Sequence, residues 1–261
     1  MKRTFFQRKQ GAMVTALMSG MTPESLIAQS RGAEFDGADA IGIELRDLKP
    51  EYRTREVFER IIQSVNLPFM FIFYRNDRWN VHKEDEPRQE LLLAAADAGA
   101  GMIDVMGDLY DPSPDEITHN PAAIEKQMRL INRIHATGSQ VIMSSHPQRV
   151  MSADAVLAQL RSFEERGPDV VKIVTVANTE EEFAESVRTT MLLRRELKTP
   201  FVHLCNGKFG RIQRFLGMSL GVSITFAAYR YEEFSLMTQP TVRSMRTVLD
   251  NFHWNISEID E

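Results

Sequence analysis

The sequence has a single cysteine, Cys205, so no intrachain disulfide framework can hold the fold. A reducing compartment, the cytoplasm, is therefore the expected location. No apolar run is long enough to span a membrane. The basic opening MKRTFFQRKQ is not followed by the apolar stretch of a signal peptide. Basic residues are dispersed and the formal net charge is −5, which argues against nucleic acid as the main partner. His82, His119, His135 and His253 lack metal-ligand spacing with one another, and no metal site is read. No linker or low-complexity tract divides the chain, so residues 1–261 are expected to form one domain. What is present is ordinary for a soluble globular protein: 43% hydrophobic and 26% charged residues, enough to bury a core without staples. The 14 methionines read as core filler rather than a binding surface.

Short apolar runs alternate with helical patterns throughout. Candidate strands are 12–18, 39–45, 68–74, 101–106, 140–144, 170–176, 200–205 and 221–227. Helices are expected after Thr22-Pro23, over 55–65 and 88–98, from Asn120-Pro121 to Ala136, and from Ser152 to Gly167-Pro168. Three more follow: one from a capping box at Thr179 to Glu182 with Phe183, Val187 and Met191 on its apolar stripe, one near Gly210, and one over 240–252. Eight strand-helix units in this length predict a parallel α/β fold. A (β/α)₈ TIM barrel is the leading closure and a doubly wound open sheet the alternative.

In a barrel, functional residues stand at the C-terminal ends of the strands. Two such places hold an unusual residue. Lys172 lies inside V-V-K-I-V-T-V, where a charge is costly to bury unless it is paired or neutral. A neutral lysine in an apolar pocket forms Schiff bases with carbonyls. His146 follows the fifth apolar run and is placed to move protons. The plainer alternative is a lysine snorkelling from a strand edge and an ordinary loop histidine. Glu44 and Arg46, two residues apart, share a face and suit a polyhydroxylated ligand or a solvent-side ion pair. The other strand ends offer Tyr74 or Arg75, Asp104 and Met106. The seventh leads into G-K-F-G-R-I-Q-R, a turn and helix start able to hold an anion. His203 and Cys205 read as core.

These pieces resemble type I 3-dehydroquinate dehydratase: I-E-L-R at 43–46, V-I-M-S-S-H at 141–146, V-V-K-I at 170–173 and G-R-I-Q-R at 210–214, in order and spacing. The resemblance implies a barrel that converts 3-dehydroquinate to 3-dehydroshikimate without metal or cofactor. It implies Lys172 as the imine-forming residue and His146 as the general acid/base. Glu44 and Arg46 would bind substrate hydroxyls, and Arg214 the carboxylate. A small-molecule substrate is expected, with no nucleic-acid or membrane partner and a homodimer as the candidate assembly. The chain also departs from the family. Tyr74 stands where the family has an arginine, with Arg75 one residue late. The acid that supports the histidine is replaced by Arg78, leaving Glu84 or Glu86 as substitutes. Met106 stands where an acid is usual. In the loop after strand eight, F-S-L-M-T-Q-P, only Ser235 and Gln239 match. Three readings stay open: dehydration of 3-dehydroquinate, another lysine Schiff-base lyase or aldolase on a related keto-acid or keto-polyol, and a non-catalytic metabolite-binding barrel.

Overall fold

Thr22, Thr54, Asn120, Ser152, Thr179 and Thr241 each accept a hydrogen bond from a backbone N–H two or three residues on, and a helix follows every one. Each supplies an acceptor to a first turn whose N–H groups have no helical partner. The computed structural model describes residues 4–6, 11–231 and 239–256. Its strands are β1 (Met13–Met18), β2 (Ala40–Glu44), β3 (Phe69–Ile72), β4 (Met102–Met106), β5 (Gln140–Ser145), β6 (Val170–Val176), β7 (Phe201–Asn206) and β8 (Ile224–Ala228). They alternate with α1 (Pro23–Phe35), α2 (Arg55–Ile62), α3 (Asp85–Asp97), α4 (Pro121–Ala136), α5 (Ala153–Glu164), α6 (Glu180–Glu196), α7 (Gly210–Ser219) and α8 (Val242–Asn251).

All strand pairs are parallel and consecutive, and β1 pairs with both β2 and β8. A doubly wound sheet would reverse its strand order at a switch point, and this one does not. The order curls into a (β/α)₈ barrel. The remaining seam is tied at its start, where Ser223 N donates to Phe201 O (2.9 Å). Element ends differ modestly from the sequence reading. Ladder pairing in β3 stops at Ile72, two residues short of Tyr74, and α3 starts at Asp85, where acidic residues favour a helix N-terminus. A short 3-10 helix, Pro50–Tyr52, was not anticipated.

Alternating side chains build two cores. Met70, Ile72, Met102, Ile142, Val202 and Phe226 fill the barrel interior. Ile41, Ile43, Phe71, Val105, Val141 and Ile173 face outward against the helices. Each such side chain contributes about 1.5–3 kcal/mol by leaving water. Phe5 and Phe6 join the interior core, and Phe6 exchanges two backbone hydrogen bonds with the Gln140 amide (2.7 and 3.0 Å) at the start of β5. This closes the N-terminal end, so the polar residues of β3 to β6 collect at the opposite mouth.

The stripe expected on α6 is corrected. Met191 is exposed, and the buried face is Ser186, Thr189, Thr190 and Leu193. These hydroxyls are satisfied by carbonyls three or four residues back, and Thr190 Oγ1 also meets His203 Nδ1 (2.9 Å). His203 is core, as read from the sequence, and burial lowers its pKa from 6.5 to about 4. The unfolded chain therefore takes up this proton first, and stability present above pH 6.5 is lost as the pH falls towards 4. At about 1.4 kcal/mol per pH unit the full loss is about 3–4 kcal/mol. Denaturant titrations at pH 7 and pH 4.5 should show His203→Gln losing less stability than the parent over that interval. Equal losses would mean that His203 is protonated without penalty.

Candidate active site

Lys172 points inward between Val170 and Val174 and is 4% exposed. Register pairs it with Ser144 on β5, and Ser144 in turn with Met106 on β4. Asp104, one inward position below Met106, is 2% exposed. The pocket is not the apolar one expected. Lys172 Nζ donates to Tyr74 Oη (2.8 Å) and lies 3.4 Å from Asp104 Oδ2. Asp104 also accepts from Tyr74 Oη (2.9 Å) and Ser144 Oγ (2.5 Å). The Phe226 ring centroid, 4.9 Å from Nζ, supplies an aromatic face to the cation. A buried amine is tolerable here because it is paired and hydrogen-bonded.

Tyr74 takes the inward position at the end of β3. Its hydroxyl also lies 3.3 Å from His146 Nε2, and the two rings meet edge-on, with centroids 4.8 Å apart. Burial, and then the charge of Asp104, push the Tyr74 pKa well above its ordinary value. Arg75, one residue on, turns away. It forms ion pairs with Asp85 (3.0 Å) and Asp108 (2.8 Å), although it still lines the cleft beside Tyr74.

The acid beside His146 is Glu116, a residue the sequence reading did not single out. His146 Nδ1 is 2.9 Å and its backbone N 2.8 Å from Glu116 Oε2. Burial raises the Glu116 carboxyl pKa, but the bonds and charge of His146 outweigh this and leave it lowered. An ionised Glu116 makes Nδ1 the protonated nitrogen, so Nε2 faces Tyr74 as an acceptor. Glu84 instead precedes α3 and is exposed, and Glu86 pairs with Lys126, so neither fills this role.

Glu116 is held by the loop after β4. Buried Arg166 donates to Gly107 O (2.7 Å) and Thr118 O (2.8 Å), bracketing the loop. Gln159 Nε2 donates to Asp115 O (2.9 Å). Gly107 has to be glycine, because a Cβ there would sit 2.6 Å from Glu116 O. The cleft between this loop and the segment after β3 has a volume of 660 Å3 and is lined by Tyr74, Asn76, Met106, Glu116, His146 and Gln148, among others.

Glu44 and Arg46 do lie together, 3.9 Å apart at the end of β2. Asn76 Nδ2 donates to Glu44 Oε1 (3.3 Å), and the Glu44 charge is felt at Tyr74. Arg46 also pairs with Asp47 (3.1 Å). Arg214 is buried in α7 near the end of β7. Nη2 donates to Asn206 Oδ1 (3.2 Å), while Nε and Nη1 have no hydrogen-bond partner among the described residues. Burial lowers its pKa to about 10, which still leaves it charged at neutral pH. Such a guanidinium is suited to receive a carboxylate. Gln239 is half-buried, and its carbonyl accepts from Tyr231 Oη (2.8 Å). Ser235 lies outside the described residues. No group of three His, Cys, Asp or Glu side chains able to hold a metal ion is found among those described.

The family model for type I 3-dehydroquinase matches residues 16–255. The chain belongs to the type I 3-dehydroquinase family. Its similarity to individual members is low. It is 33% identical over 140 residues to the 3-dehydroquinate dehydratase of Alkaliphilus oremlandii, covering 53% of each chain. It is 26% identical over 255 residues to that of Shouchella clausii, covering 88% of this chain and 93% of the relative. The matched stretch thus spans about half of the Alkaliphilus enzyme and most of the Shouchella one. Among solved structures, the type I 3-dehydroquinate dehydratase of Clostridium difficile superposes with a TM-score of 0.78 at 16% identity, over 94% of this chain and 93% of that one. This structural likeness establishes the shared barrel. In this chain a phenol stands at the end of β3, and the histidine is held by a glutamate from the loop after β4.

Proposed function

We propose that the chain dehydrates 3-dehydroquinate to 3-dehydroshikimate through an imine on Lys172, with His146 as general acid/base. The observation that carries this reading is the buried amine of Lys172, joined through Tyr74 Oη to His146 Nε2 at the barrel mouth. Family membership supports the reaction class, and the Clostridium difficile relative, crystallised with covalent modified comenic acid, supports covalent chemistry. A cytoplasmic location is part of the same proposal, supported by the free, buried thiol of Cys205.

The residues divide the work as follows. The amine attacks the substrate ketone, and loss of water gives a protonated imine, an electron sink that acidifies the adjacent C–H. His146 Nε2 takes that proton and returns one to the hydroxyl β to the imine, which departs as water. Hydrolysis then frees the product and the amine. Arg214 receives the substrate carboxylate with the two nitrogens that have no partner among the described residues, and Glu44, Arg46 and Asn76 meet the hydroxyls. A second reading, a lysine Schiff-base lyase or aldolase for a related keto-acid or keto-polyol, is favoured by one observation. Neither Tyr74, a neutral phenol, nor Arg75, tied to two carboxylates, supplies a free cation at the end of β3.

Incubation with 3-dehydroquinate should produce the ultraviolet-absorbing enone of the product. Arg214→Ala should keep the reaction but weaken substrate binding by about 2–4 kcal/mol, the range for truncating a buried charged contact. Absence of the enone in the parent would favour the second reading. Unchanged saturation kinetics in the variant would remove Arg214 from the site.

A further inference from the structure

We propose that Tyr74 is a catalytic residue of the imine chemistry, its hydroxyl passing protons between Lys172 Nζ and His146 Nε2. The inference rests on Lys172 as the imine-forming residue and adds the route by which its nitrogen loses and regains protons. Tyr74 Oη is 2.8 Å from Nζ and 3.3 Å from Nε2, so one oxygen lies within reach of both reacting groups. Packing alone does not call for this hydroxyl. Phe71, Phe73 and Phe226 are all apolar and buried nearby in the barrel wall, and a phenylalanine would fill the same ring space. The hydroxyl is instead placed among an amine, a carboxylate and an imidazole.

The protonation pattern gives the relay a direction. Glu116 accepts from Nδ1 and leaves the Nε2 lone pair turned to Tyr74. Asp104 Oδ2, 2.9 Å from the hydroxyl, orients its proton while the site is at rest. Burial and the Asp104 charge hold the phenol neutral, so it transfers by exchange, accepting one proton as it gives up another.

The steps balance. The resting ammonium first gives one proton to Tyr74 Oη as Tyr74 gives its own to Nε2, and His146 releases it to water. The Nζ lone pair so freed forms the C–N bond while the carbonyl π pair moves to oxygen. Nζ then gives a proton to Tyr74 Oη as Tyr74 gives its own to Nε2. His146 hands that proton to the alkoxide, forming the neutral carbinolamine. A second proton, taken up by His146 from water, carries the hydroxyl off as water, and the nitrogen lone pair closes the C=N bond of the protonated imine. Hydrolysis of the product imine runs this sequence backwards and returns the solvent proton.

The test compares parent and Tyr74→Phe by rapid-quench borohydride trapping with 3-dehydroquinate, locating the adduct by mass spectrometry. The variant should load Lys172 about 10²-fold more slowly, the low end for losing a positioned acid/base group. Its final adduct yield should match the parent, because the nucleophile remains. Loading rates in mixtures of light and heavy water add a readout that a packing role would not move. The parent dependence should be curved, as two protons move together, and the variant dependence linear. Loading of Tyr74→Phe at the parent rate, or a linear dependence in the parent, overturns the relay. The parent measurement decides on its own if the variant does not fold. A parent that forms no adduct brings down the Schiff-base reading first and the relay with it, so the parent control separates the two failures.

Discussion

Lys172→Met should form no borohydride-trapped adduct with 3-dehydroquinate, and its turnover should fall to background. The side chain keeps much of its volume but loses the nitrogen that the proposed covalent step requires. The fold has a stake in the same nitrogen. Asp104 is fully enclosed and loses its cationic partner, and breaking a buried pair from one side destabilises by about 3–5 kcal/mol. Two hydroxyl donors remain on Asp104, from Tyr74 and Ser144, and soften the loss. The single variant should therefore be folded but less stable. Adding Asp104→Asn should recover stability without recovering adduct. Mass spectrometry of the parent should place the reduced adduct on the peptide containing Lys172. An adduct on Lys208, or none with any keto-acid or keto-polyol while the parent is folded, would end the Schiff-base reading and leave a metabolite-binding barrel.

The parts of this site that follow from strand alternation were legible in the sequence. Lys172 breaks an apolar run, and its position in that run puts it inside the barrel. Tyr74 rather than Arg75 faces inward for the same reason: two-residue alternation from Met70 and Ile72 leads to Tyr74. The contacts that Tyr74 makes were not legible, because they join residues 74, 104, 146 and 172, and local periodicity carries no information over such separations. Glu116 was hidden for a different reason. It lies in a loop, at a positive φ of 50°, and reaches His146 only because Arg166, Gln159 and the bare Cα of Gly107 shape that loop. The acids that follow β3 in sequence, Glu84 and Glu86, sit instead at a helix start and in a surface ion pair. On α6 the apolar spacing misled. Hydroxyl side chains that bond their own helix or His203 can be buried as readily as a Phe, Val and Met stripe.

His146→Ala should leave Lys172 able to form an imine and slow the steps that follow by about 10²–10⁴-fold, the range for general acid/base catalysis. The distinction arises because amine and imidazole are separate groups joined by a single hydroxyl. With Nε2 gone, the amine keeps its contacts with Tyr74 and Asp104 and remains a nucleophile. The C–H next to the imine then has no base aimed at it. Borohydride should accordingly trap substrate on Lys172 in this variant, although more slowly if Nε2 also receives protons through Tyr74. Glu116→Gln should reproduce part of the defect, since a neutral amide that can donate to Nδ1 no longer fixes Nε2 as the acceptor. Single-turnover measurements that follow imine and enone separately would show this as accumulated imine with delayed enone. Parent-rate enone formation in His146→Ala would move the acid/base role elsewhere, and Tyr74, already in contact with the amine, would be the next group to test.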